Sequence, residues 1–348
     1  SRNKMINGHG DERLNDGKKP FLNFSNTVWY GADHTLLGEH LSRSLVDCMK
    51  HYPEPDAATL RKMIARRHGL NEESIIVTNG PTQAIYLLAE AFAEKRILIP
   101  SPAFAEYEDA ARLYRSEVRL IAGNTPISEW PLDEVDVCYI ASPNNPDGHI
   151  ISHAELMLII DKYPKVTFIL DQCYANYTTV NKIKPSDSKS HPNLISFWSF
   201  SHAYGIPGLR IGYIVAPSQY SEAIRRLVVP WSVNSIAIEA AKYILIHPAQ
   251  FTLPIRKWQR SAQELMTKLS AFNEIDVLPS TTTFFLIKLK KGTAAALKEY
   301  LATEHNMLIR DASNFAGLDA SYARITSLDE ASNNQLVDAI ALWLEQQA

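Results

Sequence analysis

Between residues 75 and 215, short apolar runs alternate with segments whose apolar positions recur every three or four residues. That alternation predicts an α/β sheet covered by helices on both faces. Strands are expected over residues 75–78, 96–99, 135–141, 166–170, 194–200 and 211–215. Helices are expected from residue 83 to about 93, from just after Phe104 through Tyr114, and over about 153–162. The run 166–170 is almost uninterruptedly apolar, as a central parallel strand buried on both faces should be. Upstream, spacing predicts helices over 36–49 and 57–68, with Asp56 as N-cap of the second. Downstream, helices are expected over 218–227, 235–246 and, as one long segment, about 249–272. The last third then reads strand (283–289), helix (293–303), strand (307–310), strand (322–326) and a final helix. The fold class is therefore α/β, with a mostly parallel central sheet and a smaller α+β C-terminal part. The expected division is an irregular arm (1–30) lying across another surface, a large domain (31–244) and a small domain (245–348).

Composition narrows the function. The 348 residues are 46% hydrophobic and 21% charged, ordinary for a soluble globular chain long enough for two domains. A net charge of −3 gives no electrostatic reason to expect nucleic acid or an anionic membrane as partner. Cys48, Cys138 and Cys173 are odd in number and lack CxxC spacing, which predicts reduced thiols and a cytoplasmic setting instead of a disulfide frame or zinc site. No apolar run reaches membrane-spanning length, and the N-terminus is polar, so neither an anchor nor a signal peptide is expected.

Chemistry concentrates in LISFWSFSHAYGIPGLRIGYIV, residues 194–215. Two strand-like runs flank a turn punctuated by Gly205, Pro207 and Gly208. Ser199, Ser201 and Arg210 are polar groups set in apolar material, and two hydroxyls with a planar guanidinium fork suit a phosphate. Asn79-Gly80-Pro81-Thr82, between a strand and a helix, offers backbone N–H groups to an anion. Asp171, at the carboxyl end of the most apolar strand, stands where open α/β sheets bind ligands. Arg310 and Arg324 lie on or beside strands in apolar company, where surface ion pairing is the plainer reading.

The segment Ser199 to Tyr213 resembles S-x-S-K-x-x-G-x-x-G-x-R-x-G-Y, the cofactor-lysine segment of fold-type I pyridoxal 5'-phosphate (PLP) enzymes. Every position matches except the lysine that forms the Schiff base, where this chain has His202. The similarity runs through most of the chain in family order. It implies that Asn79, Gly80, Pro81 and Thr82 sit under the cofactor phosphate, with Ser199, Ser201 and Arg210 beside it. Phe104 would stack on the pyridine ring, Asn145 and Tyr174 would bond the phenolic oxygen, and Asp171 would pair with the ring nitrogen. Tyr52 would cross a homodimer interface to the other copy's phosphate, and Arg324 would grip the substrate carboxylate. Departures occur where the family has threonine (Asp147), Asp-Glu-Ala (Asp171-Gln172-Cys173) and a proline-bearing arm (Thr27 to Tyr30).

Within the family the chain is most similar to the threonine-phosphate decarboxylases of cobalamin biosynthesis and, next, to histidinol-phosphate aminotransferases. Gly8-His9-Gly10, Phe104-Ala105-Glu106-Tyr107, Pro230 to Asn234 and Leu308-Ile309-Arg310 carry that likeness. It implies a small phosphorylated amino acid as substrate, with His9, Arg310 and Arg324 as anion contacts. An imidazole lacks the primary amine needed to bond the cofactor covalently. His202 is left to hold PLP non-covalently or to act as a general acid–base near neutral pH. Loss of CO2 needs no base to remove an α-proton, whereas transamination does. A decarboxylase therefore stands first, an aminotransferase second, and a catalytically silent PLP or anion binder remains as the alternative of a different class.

Overall fold

The computed structural model of the chain describes residues 9–11, 20–180 and 183–348. Residue Gly8 and most of the expected arm lie outside the described residues. The strands are β1 (Leu22–Asn23), β2 (Ile75–Thr78), β3 (Arg96–Ser101), β4 (Glu117–Ala122), β5 (Val137–Ala141), β6 (Thr167–Asp171) and β7 (Leu194–Ser199). They continue with β8 (Gly212–Val215), β9 (Ile275–Val277), β10 (Phe284–Leu289), β11 (Met307–Leu308), β12 (Arg310–Asp311) and β13 (Tyr322–Thr326). The helices are α1 (Thr35–Lys50), α2 (Ala58–His68), α3 (Gly80–Ala91), α4 (Glu106–Leu113) and α5 (His153–Lys162). After them come α6 (Ser218–Leu227), α7 (Ser235–Ile246), α8 (Ile255–Ser270), α9 (Ala294–His305) and α10 (Glu330–Gln347).

Seven strands form the central sheet in the order β2-β8-β7-β6-β5-β3-β4, parallel throughout except that β8 runs antiparallel to both neighbours. All five residues of β6 are buried, as its composition predicts. The period of two splits them between layers: Phe168 and Leu170 pack with α5 residues such as Leu156, while Ile169 faces the other side with Ile85 and Leu88 of α3. A second, antiparallel sheet, β12-β13-β10-β9, packs with α8, α9 and α10 around Leu265, Phe285, Leu301 and Trp343.

Several expectations need correction. Asp56 does not cap α2: the N-cap position is Ala57, and Asp56 instead accepts from Arg61 Nη2 at 3.2 Å. Gly80-Pro81-Thr82 is not a loop before a helix but the first turn of α3, where proline lacks only an N–H that has no intrahelical partner. Strand β4 was not anticipated; it lies at the sheet edge, with an exposed and half-buried pattern and no buried stripe to announce it. The single helix expected over 249–272 is a 3-10 turn, Pro248–Phe251, then α8, with Pro254 standing before its first residue. The strand expected over 307–310 divides into β11, paired with β1, and β12, paired with β13. The described part of the arm packs on its own chain, where Phe24 is fully buried beside the second sheet.

Candidate active site

The carboxyl ends of β5, β6 and β7 open onto a cleft of about 110 Å³. Pro81, Thr82, Phe104, Asn145, Asp171, Tyr174, His202 and Arg210 all line it, so most of the residues singled out in the sequence converge. Tyr107 and Cys173 join them.

One end of the cleft is built for an anion. Gly80 has φ +82°, and a Cβ there would lie 2.6 Å from Arg210 Nη2, so only glycine lets that guanidinium rest on the first turn of α3. Arg210 has a left-handed backbone (φ 62°) and donates from Nη1 to Pro207 O at 3.1 Å. Ser199 Oγ accepts from the Ser201 backbone N–H at 2.8 Å, and Ser201 Oγ is buried without a partner. A helix N-terminus, a guanidinium and an unsatisfied hydroxyl together favour a phosphate. Asn79 contributes less than expected, because it is exposed and its backbone N–H donates to Gln83 Oε1.

Asp171 stands at the end of β6. Its Oδ1 accepts from the Cys173 backbone N–H at 2.9 Å, and its Oδ2 accepts from the Tyr107 hydroxyl. Burial pushes its carboxyl above the ordinary range, while these donors pull the other way. Tyr107 is therefore a site residue that sequence reasoning passed over. It lies three residues after Phe104 near the start of α4, one helical turn away, and that spacing was the available signal. Tyr174 OH meets Thr27 Oγ1 at 2.6 Å, which brings the arm into the site; burial raises the phenol to about 12.

His202 lines the cleft with its ring centroid 4.8 Å from that of Tyr174. Its Nδ1 is buried and unpartnered. Burial, helped by the positive Arg210 and Arg324, depresses its pKa to about 4. The expectation of an acid–base group near neutral pH is thereby corrected: the ring is neutral at pH 7, and its protonated form is excluded by desolvation.

Arg324 and Arg310 are direct partners across the antiparallel β12–β13 pair and are only 2% and 6% exposed. Arg324 Nη1 donates to Asn145 Oδ1 at 2.6 Å and Nη2 to Ser25 O at 2.6 Å, both neutral acceptors, while its Nε is buried without a partner. Burial lowers Arg324 to about 10, and Arg310 adds to that. Two buried guanidinium groups in register suit an anionic ligand between them. The bland reading of these arginines as surface ion pairs is corrected by their burial.

His9 packs on Phe104 (centroids 4.9 Å apart), and its Nε2 meets Glu106 Oε1 at 2.8 Å. The other carboxylate oxygen of Glu106 accepts from Tyr86 OH at 2.6 Å, so this buried glutamate fixes the histidine over Phe104. Asp147, where the resemblance leads one to expect threonine, braces the loop by accepting from Asn144 Nδ2 at 2.9 Å and the His149 backbone N–H at 3.0 Å. Tyr52 is not brought to this cleft. It is 84% exposed and packs on Trp231, 5.4 Å between centroids.

The donor set fits PLP on the structure's own terms: a glycine cradle under a guanidinium, an orphaned hydroxyl, a buried carboxylate and two buried arginines. It lacks one element, since no described residue lining the cleft is a lysine. Among the described residues there is no metal-binding cluster, and no helix is long and apolar enough to cross a membrane.

Comparison with known proteins gives the same picture. A solved structure of L-threonine-O-3-phosphate decarboxylase from Porphyromonas gingivalis is 52% identical and superposes with a TM-score of 0.92, covering 93% of this chain and 100% of that one. Threonine-phosphate decarboxylase of Salmonella typhimurium is 28% identical over 327 residues, 89% of each chain. Histidinol-phosphate aminotransferase 2 of Carboxydothermus hydrogenoformans is 27% identical over 319 residues, covering 87% of this chain and 86% of that protein. A family model described as aminotransferase class I and II matches residues 44–340. With that match spanning the central sheet, the cleft and the whole of the second sheet, the chain belongs to the aminotransferase class I and II family.

Proposed function

We propose that the chain is a PLP-dependent decarboxylase of a small phosphorylated amino acid, L-threonine O-3-phosphate first, working as a homodimer. The observation that carries the reading is the buried Arg324, in register with the buried Arg310 and bonded through Nη1 to Asn145, which lines the same cleft as Asp171 and Arg210. That arrangement asks for a ligand with several anionic groups, and the 52% identity to the P. gingivalis protein favours O-phosphothreonine among them.

PLP, when bound, supplies an electron sink for the pair left behind when a bond to the amino acid's α-carbon breaks. The protein's part is positional and electrostatic. Arg210, Ser199, Ser201 and the first turn of α3 hold the cofactor phosphate, and Phe104 covers the ring. Asp171, steadied by Tyr107, would pair with the ring nitrogen and favour its protonated state. Asn145 and Tyr174 bond the phenolic oxygen. Arg324, tied to Asn145, holds the substrate carboxylate, while His9 and Arg310 hold the distal phosphate. Tyr52 serves the other copy's phosphate. His202, neutral in the cleft, presents one lone pair and one N–H but no imidazolium proton. Loss of CO2 tolerates this, because no α-proton has to be taken.

The absence of a lysine specifically favours a second reading, a PLP binder that is catalytically silent. The test is to incubate the native chain and His202→Lys with PLP and O-phosphothreonine and to look by mass spectrometry for 1-aminopropan-2-yl phosphate. Product from both, more slowly from the native chain, is expected. Product from the variant alone establishes the silent binder, and product from neither overturns the substrate assignment.

A further inference from the structure

With no lysine among the described residues that line the cleft, the free aldehyde of PLP gains no covalent bond from them, and only its phosphate and ring are held. Arg324 has a buried Nε without a partner and two neutral acceptors, and it lies directly across from Arg310. His202 offers a neutral ring whose buried nitrogen is also unsatisfied. Free PLP leaves the cost of the unpaired Arg324 Nε and His202 Nδ1 in place, whereas a ligand joining cofactor and amino acid reaches both together.

Resting on the PLP reading above, we propose that this chain loads its cofactor already condensed with the amino acid, so that PLP behaves as a dissociable co-substrate and not as a resident group. The geometry behind this is a cleft with Arg210 against Gly80 as phosphate cradle, His202 where the tether would be, and Arg324 bonded to the lining residue Asn145 as carboxylate site. The condensation is ordinary solution chemistry. The amino nitrogen bonds to the aldehyde carbon, the aldehyde oxygen leaves as water, and the proton of the ammonium passes to solvent. Nothing is oxidised or reduced. The depressed basicity of His202 agrees with this scheme, since a neutral imidazole adds no third cation beside Arg210 and Arg324. Release follows the same logic: with no protein amine to displace the product, cofactor and product leave together, or water separates them.

The experiment is equilibrium titration of the full chain, by calorimetry or pyridoxyl fluorescence, with two probes. One is PLP. The other is the borohydride-reduced conjugate of PLP with O-phosphothreonine, which is stable and keeps both phosphates and the carboxylate. The native chain is expected to bind the conjugate at least tenfold more tightly than PLP and to lose that preference in Arg324→Gln. In His202→Lys the gap narrows or reverses, because PLP then forms a covalent link. Equal binding of both probes by the native chain overturns the co-substrate proposal while leaving a PLP site in place. An Arg324→Gln preference equal to that of the native chain also overturns it. Binding of neither probe by a natively folded chain overturns the PLP reading itself.

Discussion

Gly80→Ala isolates the phosphate cradle. Glycine is required at this position for two separable reasons, and they predict different sizes of effect. The residue has φ +82°, a conformation that costs a side-chain-bearing residue about 1–2 kcal/mol. The new methyl would also lie 2.6 Å from Arg210 Nη2 and 2.8 Å from Cζ. Those atoms are the far end of a flexible side chain, so the clash is relieved by moving the guanidinium off the first turn of α3 and adds little to unfolding. At about 2.1 cal/mol/K of unfolding entropy per residue, a chain of 348 residues should then melt only about 1–3 °C lower. Binding should suffer more. Displacing one charge-assisted phosphate contact costs about 1.5–3 kcal/mol, or roughly a ten- to hundredfold weaker PLP affinity. Gly208→Ala is the control, because a Cβ there meets nothing within 4 Å. Differential scanning fluorimetry and PLP titration on both variants provide the assay. If Gly80→Ala binds PLP as well as the native chain, or if Gly208→Ala weakens binding equally, the reasoning about Arg210 fails.

Three further outcomes are expected. His202 has its pKa lowered from 6.5 to about 4, so the unfolded chain takes up its proton first as pH falls. Stability attributable to this group is whole above pH 6.5 and is lost between there and about pH 4, on the order of 3 kcal/mol. His202→Gln should flatten that part of the urea-denaturation profile, and an unchanged profile would refute the assignment. Tyr107→Phe leaves Asp171 Oδ2 without its phenolic donor in a buried site and should lower stability by about 1–3 kcal/mol, read from the urea midpoint at constant m-value. Thr27→Val removes the partner of Tyr174 OH and should cost about 1 kcal/mol or more; no change by the same assay would mean the arm is not anchored there.

The sequence was most informative where the pattern was strong and local. The segment that becomes β7, the turn and β8, the apolar run of β6, and helices α5, α6 and α7 are all legible from periodicity and punctuation. The cleft residues on those elements were found with them. What escaped depended on contacts distant along the chain. Strand β4 buries no stripe of its own and owes its conformation to β3. The division between β11 and β12 follows from which partner each meets, β1 or β13. Tyr107 and Thr27 become site residues only because Asp171 and Tyr174 lie against them across 64 and 147 positions of sequence. Glu106, likewise, is defined by His9 and Tyr86. The electrostatic state of His202 was equally out of reach, because burial and two distant arginines set it.

The central claim is that position 202 faces the reactive carbon of a PLP molecule held in this cleft. The most direct measurement is to treat the native chain and His202→Lys with PLP and borohydride, then map the pyridoxyl label by peptide mass spectrometry. The account predicts a label at position 202 of the variant and none in the cleft of the native chain. A variant that remains unlabelled at position 202 would contradict it, as would a variant that takes up label only on surface lysines.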